Sequence, residues 1–471
     1  MNEEIIMRES VRVKGKETQM ILTLQGLELR SRIRSIRRSS YNKEKAFHLN
    51  WKDIMSVRPA PNLKEAGVLL LHYISHETNK ILLVKTLQIQ GIRNCDQWID
   101  LINHHISVSG RPKRLFVVIN PIGGAGKGLH IYYDTVEPLF KLASIETSVI
   151  VTERSKHALN IAESTDFSQF DGIVIVGGDG LYQEILQGLT VQVQKKDGVN
   201  YNHCDQELHK LNVPLGIIPA GTGNGVTRMI NGVIDVRTAA LNIIRGEHHR
   251  AQVFTVYNNN KLLCVCGLIF AYGMFSDLIK RTDELRWMKR LRYPFAIIGT
   301  LMKRKRMFQA ELHYRLSVLD SMDEGSSLAE WMTIEPAIQD YCCIYALPFE
   351  LIPKDNHNIV NPYGQHVQLI VCTGCSKLAV FKSFFDFLMG KTITSKPGSL
   401  EVIKNIRDFK LKAVYGIQDR SSSQDVRNTA LDHLIDVDGE VLNLETAEII
   451  VRLQNSFVPL FGCRLLEGHQ Q

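Results

Sequence analysis

The chain has 471 residues, 44% of them apolar and 22% charged, which is the balance of a globular protein. That length exceeds one ordinary core, so two or three domains are expected. A formal charge of +7 spread over it is too mild to argue for nucleic acid, and no apolar run is long enough to span a bilayer. Of the nine cysteines, only Cys372 and Cys375 have a redox or metal spacing, and no second pair accompanies them. They read as free thiols in a reducing compartment. The opening residues carry no charged-then-apolar leader, and Asn2 stands where myristoylation needs glycine. A cytoplasmic protein with peripheral association to membranes is expected.

Residues 1–110 read as a separate unit. Strand-like runs fall at 19–24, 47–51, 67–74 and 80–89, and a helix-like run at 95–106 brings Trp98, Ile99, Leu101 and Ile102 toward one face. Several strands closed by one amphipathic helix resemble a pleckstrin-homology domain. Between the early strands lies a basic stretch, Arg30, Arg32, Arg34, Arg37, Arg38, Lys43 and Lys45. It is either a solvated loop or a contact for anionic headgroups at a membrane.

Residues 111–249 alternate strand and helix, which argues a parallel sheet with flanking helices and with loops gathered at its carboxyl edge. Apolar runs at 115–119, 173–176 and 215–218 each end in a glycine-rich loop. The loops are Asn120-Pro-Ile-Gly-Gly-Ala-Gly-Lys127, Gly177-Gly-Asp-Gly180 and Gly221-Thr-Gly-Asn224. Glycine lets backbone N–H groups wrap an anion, so three such strand ends point to one phosphate site. The first loop is neither a Walker A motif, since Gly128 follows Lys127, nor a dinucleotide fingerprint. Alone it reads equally as a tight turn. Asp179 in the second loop reads either as a helix cap or as a base for an alcohol attacking a terminal phosphate.

Residues 250–471 change to short strand-like runs, with helical patches at 277–302 and 378–389. They predict an antiparallel β-rich domain. Residues 191–212 read as a polar insertion.

The three loops, their order, and Leu181-Tyr-Gln-Glu-Ile-Leu-Gln-Gly-Leu189 after the aspartate resemble the diacylglycerol kinase catalytic superfamily, in its sphingosine kinase and ceramide kinase branch. Further matching residues are Thr152-Glu153 with His157, Ala271-Tyr-Gly273 and Asp438-Gly-Glu440. The resemblance implies an ATP-dependent lipid kinase with Asp179 as general base. It implies an ATP site lined by Asn120, Gly124, Lys127, Thr152, Gly178, Gly180, Thr222, Arg286, Arg292, Asp438, Gly439 and Glu440, with Mg²⁺ bridging phosphates. Against it stand blander readings: helix-face ion pairs for Arg286 and Arg292, and a β-turn at Asp438-Gly439. Ile122 departs from the basic residue that sphingosine kinases usually carry there.

The same resemblance bears on the lipid. Sphingosine kinases carry an Asp-x-Asp segment whose second acid faces the substrate amine. Here Asp277 is kept and Ile279 takes the second place. A desolvated ammonium needs a paired acid, so the loss favours an amide-bearing lipid such as ceramide. The Gly221-Thr-Gly-Asn224 loop looks more like sphingosine kinase, which keeps sphingosine open. Asp277, Ile279 and Phe295 are expected to line the lipid cleft, and Lys303-Arg-Lys-Arg306 to meet anionic membrane or water. A nicotinamide-nucleotide kinase and a non-catalytic membrane-binding scaffold are the other classes kept.

Overall fold

The computed structural model describes residues 4–462 apart from 33–43, 61–66, 78–79, 286–287, 289–290, 303–306, 318–330, 335–336, 355–356, 362–366, 374–375, 377, 381, 383–394, 396–398 and 415–433. Seven strands come first: β1 (Ile5–Val13), β2 (Lys16–Thr23), β3 (Gly26–Arg32), β4 (Glu44–Asn50), β5 (Ile54–Pro59), β6 (Val68–His76) and β7 (Leu82–Gln90). They form an antiparallel sheet in the order β4-β3-β2-β1-β7-β6-β5. Two-residue alternation turns Met20 and Leu22, Leu27 and Leu29, Leu69 and Leu71, and Leu87 and Ile89 to one interior. Helix α1 (Cys95–Ser107) closes it, inserting Trp98, Ile102 and Ile106, which are spaced one helical turn apart. Asn94 caps the helix by accepting from the Gln97 N–H, and the buried Trp98 donates its indole N–H to Glu9 at 2.6 Å. Strands β1, β3 and β5 were not among the sequence-level expectations. In β3 the buried Glu28, paired with Arg30 at 2.7 Å, interrupts what would otherwise read as an apolar run.

Next come β8 (Arg114–Ile119), the short helices α2 (Gly128–Ile131) and α3 (Glu137–Leu142) joined by a π turn, β9 (Glu146–Val151), α4 (His157–Ser164), β10 (Gly172–Gly177), α5 (Asp179–Lys196), β11 (Leu215–Pro219), α6 (Gly225–Asn231) and α7 (Val236–Arg245). Strands β11, β10, β8 and β9 pair in parallel in that order. The chain winds outward from β8 to β9, then from β10 to β11 in the opposite direction. The switch point therefore lies between β8 and β10, where open α/β sheets bind ligands at the carboxyl edge. β8, β10 and β11 are continuous apolar runs because helices cover both faces.

The remaining elements are β12 (His248–Asn258), β13 (Lys261–Cys266), β14 (Phe270–Gly273), α8 (Met274–Glu284), α9 (Arg292–Met302), β15 (Phe308–Leu316), β16 (Met332–Thr333), β17 (Gln339–Tyr341), β18 (Cys343–Leu347), β19 (Glu350–Lys354), β20 (His357–Asn361), β21 (Gln368–Cys372), β22 (Leu400–Lys404), β23 (Ile406–Val414), β24 (Leu434–Val437), β25 (Glu440–Asn443) and β26 (Glu448–Phe461). A six-stranded antiparallel sheet runs β22-β21-β18-β14-β24-β25. The β-rich half is not walled off at residue 250. The 14-residue β26 runs antiparallel to β12 and β23, then pairs in parallel with β11 at Leu215 and Leu460, making one mixed sheet of eleven strands. A strand returning from 240 residues downstream leaves no local signal of that pairing. Among the described residues no helix is long and apolar enough to cross a membrane.

Candidate active site

The three glycine loops leave neighbouring strand ends and touch. A Cβ on Gly221 would lie 2.4 Å from the Gly178 Cα, and one on Gly124 would lie 2.5 Å from the Ala220 carbonyl oxygen. Neither contact admits a side chain, and Gly124 also holds a positive φ of 61°. Backbone bonds stitch the edge: Asn120 N–H donates to Val176 O, and the N–H groups of Ala220 and Gly221 both donate to Gly177 O. Helices α2, α5 and α6 all begin at this edge, so the positive ends of their dipoles gather there.

Asp179 opens α5 and is half-buried. Its carboxylate does not cap its own helix. It accepts from the Gly225 and Val226 N–H groups, both at 3.0 Å, and so caps α6 of the third loop. Burial pushes its carboxyl above the usual carboxylate range, and the Val226 and Gly225 amides pull against that rise. A carboxylate with a raised pKa is a stronger base than an ordinary one.

Other expected ligands shape the loops. Asn120 Oδ1 accepts from Ile122 N–H at 3.0 Å and Gly123 N–H at 2.9 Å, an Asx turn that folds the first loop back. The Thr152 hydroxyl donates to Ile119 O at 3.3 Å, tying β9 to the end of β8. Lys127 and Thr222 are exposed at the edge. Glu440 reaches the same place from the β24–β25 turn, its Oε1 3.3 Å from where a Gly180 Cβ would sit. Gly439 beside it has a φ of 87° and open space around it.

Two of the expected site residues have surroundings the sequence did not suggest. Asp438, expected among the ATP ligands, is buried and accepts from the N–H groups of Gly267 (2.7 Å), Leu268 (2.8 Å) and Ile269 (2.9 Å) and from the Cys266 thiol (3.2 Å). The Asp438 carboxylate thus clamps the loop after β13, with three donors on Oδ1 and one, the Gly267 N–H, on Oδ2. Phe295, expected in the lipid cleft, sits on the outward face of α9 with Leu291, Ile298 and Met302, all exposed. Ala296 and Thr300 take the inward face. Asp277 and Ile279 are half-buried on α8, beside the buried Phe275 and Leu278. Arg292 is half-buried at the start of α9. Arg286, most of the basic stretch between Arg30 and Lys45, and the Lys303–Arg306 run lie outside the described residues.

Asn224 was missed as a site-building residue. It holds a φ of 55°, and its side chain accepts from Gly221 N–H at 2.9 Å while donating to Gly221 O at 3.0 Å. The signal was present: asparagine is the common non-glycine residue in left-handed turns.

Residues 114–256 match the family model of the diacylglycerol kinase catalytic domain. The ceramide kinase of Mus musculus is 39% identical over 209 residues, which are 44% of this chain and 39% of that protein. Sphingosine kinase 2 of Arabidopsis thaliana is 32% identical over 203 residues, 42% of this chain and 39% of that protein. These matches thus span about two fifths of the curated relatives' length. A solved diacylglycerol kinase from Bacillus anthracis str. Sterne aligns with a TM-score of 0.46 at 15% identity, covering 74% of this chain and 97% of that one.

Proposed function

We propose, from the premise that residues 114–256 belong to the diacylglycerol kinase catalytic family in its ceramide and sphingosine kinase branch, that this protein moves the terminal phosphate of ATP to the primary hydroxyl of a sphingolipid. The observation that carries the reading is the contact of three bare loops at a sheet switch point, with one carboxylate among them. The glycines let the loops pack backbone against backbone, which gathers their ends at one edge suited to phosphate oxygens. Lys127, Thr222 and Arg292 supply side-chain donors around the phosphates, and Arg286 is assigned with them. Asp179 takes the proton of the attacking hydroxyl, and the amides of Gly225 and Val226 fix its direction. Mg²⁺ would be held chiefly by phosphate oxygens, with Glu440 as a carboxylate at the edge, and would neutralise charge on the transferring group.

Ceramide is the favoured lipid. Ile279 stands where an acid would meet the amine of sphingosine, and the mouse relative at 39% identity is named a ceramide kinase. Sphingosine remains the second reading, on the Gly221–Asn224 loop and the Arabidopsis relative. The proposed division is 1–110 as a pleckstrin-homology-like unit, 111–249 as the nucleotide-binding unit and 250–471 as the lipid-binding half. Peripheral membrane contact through the basic stretch from Arg30 to Lys45 is part of this reading. The exposed apolar ridge of α9, followed in sequence by Lys303-Arg-Lys-Arg306, supports a membrane-facing surface. Purified protein with labelled ATP and a panel of ceramide, sphingosine, diacylglycerol and NAD tests it: label in ceramide phosphate is expected. Label in NADP alone overturns the lipid reading, and label in nothing favours a scaffold.

A further inference from the structure

Helix α7 is buried along its whole middle: residues Thr238, Ala239, Ala240, Leu241, Asn242, Ile243 and Ile244 are all inside. A surface helix buries one stripe, so a helix covered on every side is packed between two bodies. On one side Ile243 fills the space over Gly216 of β11, where a Cβ would fall 2.5 Å from its Cδ1. On the other side lies the N-terminal sheet, whose Met55, Ile74 and Leu82 belong to the same apolar cluster as Ala239 and Ile243.

Polar contacts hold both ends of that seat. In the first turn the Thr238 hydroxyl donates to Asp235 Oδ1 at 2.7 Å and accepts from the Leu82 N–H of β7 at 3.1 Å. In the last turn Arg245 Nε lies 3.0 Å from Asp53 Oδ1, and Lys52 Nζ lies 3.2 Å from Glu247 Oε1. Gly246 then turns at a φ of 74° against the Gly110 carbonyl, leaving no room for a side chain. The buried Arg111 donates to the carbonyl oxygens of Ile54 and Met55.

From α7 the contacts continue to the candidate base. Asn242 Nδ2 donates to Asn231 Oδ1 of α6 at 2.7 Å, both residues buried. The opposite end of α6 presents the Gly225 and Val226 N–H groups to Asp179. We propose that the N-terminal sheet positions Asp179 through α7 and α6, and that Thr238 and Asp53 are positioning residues for phosphate transfer. The kinetic half of this inference rests on the function proposed above; the positional half does not. Spatial contiguity alone is a path and not yet a coupling, so the test measures coupling at the far end.

The full-length chain is made as wild type, Thr238→Val, Thr238→Ser and Asp53→Asn. Amide hydrogen exchange is followed over residues 225–231, with 173–176 of β10 as internal reference. Thr238→Val keeps the shape and removes the acceptor for Leu82, so exchange at 225–231 should quicken about fivefold, the factor one lost hydrogen bond supports. The reference strand should not change, and Thr238→Ser should restore the wild-type rate. Turnover should fall by a similar factor with the KM for ATP within about twofold, because Asp179 and not the phosphate cradle is displaced. Asp53→Asn should move both readouts the same way by less, and it serves alone if the valine variant does not fold. Unchanged exchange at 225–231 in the folded variants overturns the inference, as does equal behaviour of valine and serine. A wild type inactive on every lipid overturns the kinase reading instead, and the exchange experiment still decides this one.

Discussion

Asp179 and Asp438 are both carboxylates in nests of backbone amides, both with their pKa raised by burial, and they do different work. Asp438 is enclosed and meets four donors from residues 266–269. Asp179 accepts from the Gly225 and Val226 N–H groups of one helix end, with the Asn224 N–H and its own N–H also directed at it, and stays half-buried at the loop edge. Enclosure suits the first to fastening; a place among three glycine loops at an open edge is why the role of base is proposed for the second. An acid in a Gly-rich turn is thus not informative by type. What separates the two is whether the fold leaves the carboxylate enclosed or at an open edge.

The comparison can be broken at either residue. The largest expected effect is on Asp179→Asn, which keeps shape and removes the base: turnover should fall by about 10²–10⁴ while ATP binding persists, read by initial rates and calorimetry. Asp438→Ala should do the reverse. It should cost about 3 kcal/mol of stability by denaturant unfolding, since it leaves one buried and two half-buried amides unpaired, with the KM for ATP little changed in the folded fraction. Gly221→Ala pushes a Cβ against Gly178. It should cost about 1–3 kcal/mol and weaken ATP binding about tenfold by separating two of the loops. Ile279→Asp should raise the use of sphingosine relative to ceramide several-fold, roughly 1 kcal/mol for a half-buried ion pair, in paired-substrate assays.

The smallest effect is on pH. Asp179 must be ionised to act, and its folded pKa is raised, so the rate should fall as pH drops through a value above the ordinary carboxylate range. For stability the sign is opposite: its contribution is present below the unfolded pKa and is lost as pH rises through the folded one. Asp179→Asn should flatten that loss in unfolding measured across pH.

The glycine loops were legible because their requirement is local. A φ of 61° at Gly124 and a backbone contact at Gly221 exclude other residues, and the chain records that as glycine. Strands β8, β10 and β11 were legible for the same reason, as apolar runs ending in those loops. The role of Asp438 was not, because its partners lie about 170 residues away and no spacing announces them. The outward turn of Phe295 was not legible either, since aromatic residues usually point inward whereas α9 turns its apolar ridge out. The seat of the N-terminal sheet on α7 rests on a threonine hydroxyl and two ion pairs, which look like ordinary surface residues until the helices are placed.

The central claim is that three loops build one nucleotide cradle under Asp179. A structure with a non-hydrolysable ATP analogue tests it most directly. The account predicts the terminal phosphate against the loops Asn120–Lys127, Gly177–Gly180 and Gly221–Asn224, with the Asp179 carboxylate facing the vacant side of that phosphorus. A nucleotide bound elsewhere, or one whose phosphates lie away from these loops, contradicts it.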